Sequence, residues 1–329
     1  MTSISLELSM VPHPGGFLCG AVQSQNNDLQ VIWKQMRLPV SSSTCFQVQL
    51  FNFFPFSATL NSITSQYPRN IYTMAQSHAC CTVPPVISKG YDAKGTYTTI
   101  DGMKTYVTGP SDAKKALLVI YDIFGFKDQT IQGADILATS DKENQYKVFM
   151  PDFFEGKPVD ISDYPPDTKE KGERLGKFFE TTGAPPKTVG RIPKVIDEIK
   201  SQNQSIQSWG IVGFCWGGKI VNLSSQKDTV FKAAAACHPA MVDPNDATGI
   251  SIPIAMLPSK DEDKEAVEKW EQGVKTKHLV KWYNDQVHGF MAARADLEDE
   301  NVKKNYMDAY GVLLNFFHEH LTSANTPKL

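Results

Sequence analysis

From about residue 95 onward, short runs of apolar residues alternate with stretches in which apolar positions recur every three or four residues. TYTTI and KTYVT flank Asp101-Gly102, a two-residue turn that predicts a β-hairpin. ALLVIY (116–121) is continuously apolar and suits a strand buried on both faces. A helix is predicted around 128–141, and YKVFMP (146–151) reads as a second buried strand. The Pro- and Asp-rich stretch 152–168 reads as a loop. Helices are predicted at 168–181 and 187–202, the first ending near Gly183 and the Pro185–Pro186 pair.

The same rhythm continues to the end. WGIVGF is a strand followed by a helix over 217–227, and FKAAAAC (231–237) is a strand. IPIAMLPS (252–259) is another, with a helix over 263–275, the strand HLVKWY (278–283) and a last helix over 300–320. Buried strands alternating with amphipathic helices imply an α/β fold: a mostly parallel sheet covered on both faces, in one domain from about 85 to 322.

The composition breaks near residue 74. Residues 1–73 hold five charged residues (Glu7, Asp28, Lys34, Arg37 and Arg69) and are rich in Ser, Asn, Gln and Phe without a sustained period. MAQSHACCTVPPV, from Met74, reads like an ordinary protein start. Residues 1–73 are therefore expected to be a disordered extension or an upstream region wrongly included in the gene model. A mitochondrial-targeting reading is the weaker alternative, given only three basic residues. Residues 74–84 and 323–329 are expected as tails.

Charge and cysteine usage narrow the function classes. A net charge of −3 and a pI near 6.2 make no electrostatic case for nucleic acid or an anionic membrane. No apolar segment approaches the roughly 18–20 residues of a membrane-spanning helix. The cysteines at 19, 45, 80, 81, 215 and 237 are scattered, and no His/Cys cluster has zinc spacing, so no metal is expected. Without a basic start followed by an apolar run, reduced thiols in the cytoplasm are the expectation, for a chain that is a monomer or homodimer.

In parallel sheets, ligands bind beyond the carboxyl ends of the strands. Asp122 and Ile123 follow ALLVIY; Cys215 and Trp216 follow WGIVGF; His238 follows FKAAAAC; Lys260 and Asp261 follow IPIAMLPS; His288 follows HLVKWY after a short loop. The order is nucleophile, acid, histidine. In G-F-C-W-G-G, Gly213 and Gly217 flank Cys215 at two residues on either side, as a sharp strand-to-helix turn requires. The dipole of the following helix favours a thiolate. His288 is the candidate base, Asp261 the candidate acid, and the backbone N–H groups of Ile123 and Trp216 the candidate oxyanion hole. Two alternatives stay open. Asp261, Glu262 and Asp263 could each be a solvated helix start, and His238 also ends a strand, although the base should follow the last one. Cys237 reads as packing.

VIYDIFG, VGFCWGG, the acid in PSKD, and HGF resemble the dienelactone hydrolase family of α/β-hydrolases, over roughly residues 85–322. The resemblance implies a Cys–His–Asp triad on Cys215, His288 and Asp261, and ester or lactone hydrolysis without a cofactor. It also implies a carboxylate near the nucleophile, here Asp122 where the family has glutamate, and arginines for the substrate carboxylate. Arg294, six residues after His288, is the one candidate, at a different spacing from the family's. The expected partner is a small ester or lactone; the rival is a silent relative that binds a small ligand or regulates.

Overall fold

The apolar runs become the middle of one sheet. In the computed structural model, which describes residues 8–12, 18–22 and 87–321, the segment Ala116–Tyr121 is wholly buried. Strand β5 (Lys115–Ile120) takes parallel neighbours on both sides, β6 (Tyr146–Pro151) and β7 (Ser208–Phe214). A strand paired on both edges and covered on both faces has no solvent-facing residues, which is why its sequence is apolar without alternation.

The hairpin around Asp101-Gly102 forms as β3 (Thr96–Ile100) and β4 (Met103–Thr108), and β4 runs antiparallel to β6. Beyond β7 the sheet continues in parallel through β8 (Ala233–Cys237), β9 (Ile254–Leu257) and β10 (His278–Val280). The order is β10-β9-β8-β7-β5-β6-β4-β3. Chain order reverses direction at β5 and β7, so the loops after these two central strands diverge and open a crevice at their carboxyl ends.

Helices α1 (Asp128–Thr139) and α7 (Glu300–His320) pack together, as do α3 (Pro185–Gln202) and α4 (Trp216–Ser224). These two layers cover the sheet, with α2 (Lys169–Glu180), α5 (Pro244–Ala247) and α6 (Lys264–Gly273) in the remaining connections. The prolines expected to separate two helices instead open α3: Pro185 and Pro186 occupy its first turn, where a missing N–H costs nothing. At the sheet edge, HLVKWY is a strand for only three residues, and Tyr283 rejoins through an isolated parallel bridge to Ser259.

The expectations for residues 1–73, 74–84 and 323–329 fall almost entirely outside the described residues. Within the first, Leu8–Pro12 (β1) and Leu18–Val22 (β2) pair antiparallel, with Leu8 opposite Val22. Among the described residues, no helix is long and apolar enough to cross a membrane.

Candidate active site

Cys215 stands between β7 and α4 with φ 54° and ψ −114°, a left-handed backbone that a β-carbon disfavours. The turn is possible because its neighbours are small. A Cβ on Gly213 would lie 2.1 Å from the Gly217 carbonyl oxygen, and one on Gly217 would lie 2.3 Å from that of Ile120. The peptide of Cys215 is fixed from the next strand. Its N–H donates to the Cys237 carbonyl at 3.0 Å, and its own carbonyl accepts from the Ala240 N–H at 2.9 Å. Cys215 is 8% exposed and sits at the N-terminus of α4, whose dipole favours negative charge on sulfur.

His288 reaches this sulfur from the loop after β10. Burial alone would hold the imidazole neutral. Hydrogen bonding and charge from Cys215, then from Glu262, outweigh burial and raise its pKa well above the usual imidazole range. The carboxylate at the Nδ1 of His288 is that of Glu262, where the sequence reading names Asp261. Glu262 Oε1 lies 2.6 Å from His288 Nδ1, and the Glu262 side chain is 3% exposed. Asp261 instead accepts the backbone N–H of His288 through Oδ2 at 2.8 Å.

The turn after β9 explains the exchange. Ser259 Oγ accepts from the Asp261 N–H at 3.3 Å, and Glu262 Oε2 folds back onto the Ser259 N–H. This directs the second acid of the turn inward and leaves the first beside the His288 peptide. The third, Asp263, caps α6 by accepting the Ala266 N–H at 3.0 Å. One K-D-E-D run therefore does three different jobs.

Asp122 follows β5 and is buried, but its bonds run to backbone. Oδ1 accepts the Phe124 N–H at 2.9 Å, and Oδ2 accepts the Ala293 N–H at 3.0 Å. Burial pushes its pKa up to about 6, opposed by those two bonds and by the charges of His288 and Lys127. The Ile123 peptide is thereby held between two fixed neighbours, and its carbonyl accepts from the Val159 N–H at 2.9 Å. Trp216 is the first residue of α4. Its side chain is core: the indole N–H donates to the Gly183 carbonyl at 2.8 Å and the ring packs on Phe154.

Arg294 donates from Nη1 to the His288 carbonyl at 2.6 Å, with its guanidinium 5.1 Å from the Tyr164 ring centre. It also lines an open cleft of about 610 Å³, together with Phe126, Lys127, Ile161 and Ala293; Cys215 is not part of that lining. The cleft thus abuts the site through the segment after His288. His238 is wholly buried, with its ring centre 5.2 Å from that of His288. Cys237 is packing, its thiol pushed up by complete burial. Among the described residues, no three His, Cys, Asp or Glu side chains are grouped to hold a metal ion.

A mostly parallel eight-stranded sheet with these side chains gathered past the carboxyl ends of its parallel strands defines an α/β-hydrolase. The family model described as the dienelactone hydrolase family matches residues 103–321, and the chain belongs to that family of hydrolases. An uncharacterized AIM2 family protein of Schizosaccharomyces pombe is 35% identical over 237 residues, covering 70% of this chain and 93% of the relative. The carboxymethylenebutenolidase homolog of Homo sapiens is 28% identical, covering 66% of this chain and 87% of its own length. Hydrolase tropI of Talaromyces stipitatus is 28% identical, covering 69% and 91%.

Proposed function

We propose that the protein hydrolyses a small carboxylic ester or lactone through an acyl-enzyme on Cys215, with no cofactor, as the family resemblance implies. The observation that carries this reading is the continuous chain of interactions from Cys215 through His288 to Glu262. The Cys215 thiolate attacks the carbonyl carbon, and the Ile123 and Trp216 N–H groups receive the developing oxyanion. Protonated His288 then gives its proton to the leaving alkoxide as the C–O bond breaks. Water, deprotonated by His288, attacks the thioester, and the thiolate leaves again.

Glu262 stabilises and orients the imidazolium in this scheme, and Asp261 holds the loop that carries it. Asp122 modulates the site through the backbone around it. Arg294, in the lining of the cleft, is the candidate arm for an acidic group on the substrate. A thiolate exchanges acyl groups from activated esters more readily than it cuts amides, so ester or lactone is favoured over peptide. A thiol nucleophile also fits a reducing, cytoplasmic setting. Replacing Cys215 by Ala and assaying a panel of activated esters and lactones tests the scheme. Loss of turnover and of the acyl adduct on residue 215 is expected, and wild-type turnover in that variant overturns it.

A further inference from the structure

His238 is a fully buried titratable group that the scheme above leaves idle. It follows β8 with φ 35°, a left-handed conformation that a residue with a side chain rarely adopts. Its backbone N–H donates to the Leu257 carbonyl at 2.8 Å, and two residues later Ala240 binds the Cys215 carbonyl, so the segment is fixed against the nucleophile turn. The ring packs among Phe214, Phe290 and His288. Among the described residues, no protein group partners either ring nitrogen.

This is an unusual way to bury an imidazole. Each buried polar atom left without a partner destabilises the fold, and a phenyl ring would fill the same space at no such cost. Burial, with the charges of His288 and Arg294, keeps the ring neutral. A neutral imidazole offers one N–H donor and one lone pair, and the smallest group that satisfies either beside His288 is a water molecule.

We propose that His238 is a second catalytic histidine that holds the water resolving the acyl-enzyme. This rests on the acyl-Cys215 reading. In that step the water oxygen bonds to the acyl carbon, one water proton passes to His288, and the C–S bond breaks. The products are the carboxylic acid, the Cys215 thiolate and protonated His288, so atoms and charge balance. His238 neither gains nor loses a proton; it orients the water through one ring nitrogen. Attack of Cys215 on the substrate needs no water, so His238 acts in the second half of the cycle alone.

Rapid-mixing assays with p-nitrophenyl acetate on wild type, His238→Phe and His238→Gln separate the two halves. In His238→Phe the p-nitrophenol burst should persist within about threefold, while steady-state release falls roughly 10–100-fold, the scale of a misplaced reactant. Acetyl-Cys215 should then accumulate by mass spectrometry, and added hydroxylamine should restore release. His238→Gln keeps polar atoms and should retain more turnover than the Phe variant; it also serves if the Phe variant does not fold. Burst and turnover falling in parallel, or neither falling, overturns the proposal. An enzyme that forms no acetyl-Cys215 in wild type fails earlier, at the acyl-enzyme reading itself.

Discussion

Glu262 and His288 form the short carboxylate–imidazole contact of the site, 2.6 Å from Oε1 to Nδ1, while neighbouring Asp261 holds the backbone N–H of the same histidine. The two acids therefore predict different losses. Glu262→Gln removes the charge that favours the protonated ring, and should lower kcat by about 10²–10⁴-fold. Asp261→Asn keeps an oxygen that can accept the backbone N–H, and should cost less than about tenfold. Steady-state kinetics on one activated ester compares them. The reverse order would make Asp261 the orienting acid.

What the sequence could and could not reveal follows from the range of each signal. ALLVIY and YKVFMP were legible as buried strands because burial on both faces leaves its mark on every consecutive residue. Cys215 was legible because the turn demands small neighbours at fixed offsets. Which of Asp261, Glu262 and Asp263 meets the imidazole was not, because that depends on how Glu262 folds back on Ser259. The setting of His238 was equally hidden. Its partners are Phe214, at the end of β7, and His288 and Phe290, in the loop after β10, and no local pattern joins these segments to His238.

The turn at Cys215 should be intolerant of a single methyl group. A Cβ on Gly217 would lie 2.3 Å from the Ile120 carbonyl oxygen and 3.0 Å from that of Tyr121, both backbone atoms of the central sheet. Gly217→Ala is expected to destabilise by about 2–3 kcal/mol, read from the urea midpoint, and to lose activity. Gly176→Ala in α2, where a Cβ meets nothing within 4 Å, should instead stabilise by about 0.5–1 kcal/mol. Equal effects at both positions would remove the steric account of the turn.

Arg294 is already bonded to the His288 carbonyl, yet it faces the cleft. If it holds an acidic group of the substrate, Arg294→Met should raise KM for a carboxylated ester by roughly 10–100-fold, the scale of one charge-assisted hydrogen bond. KM for an uncharged ester should move less. A fall in kcat with both substrates, at unchanged KM, would make Arg294 a support for His288 alone.

Asp122 should link activity and stability to pH in opposite senses. Its pKa rises from 3.8 in the unfolded chain to about 6 in the fold, so the folded state binds the extra proton between those values. The stability it contributes is therefore fully present below about pH 4 and is lost as pH rises through about 6. Activity should run the other way. Only the ionised carboxylate leaves both oxygens free to accept from Phe124 and Ala293, which fix the peptide of Ile123 and the segment next to Arg294. His288, shifted upward, stays protonated in the resting enzyme across this window, so the titration belongs to Asp122, flanked by His288, Lys127 and Tyr310. In wild type, kcat/KM should rise between pH 5 and pH 7 while Tm, relative to the Asp122→Asn variant, falls. The Asn variant should be less active and flat over the same interval. Superimposable pH profiles for the two proteins would show that Asp122 does not gate the site.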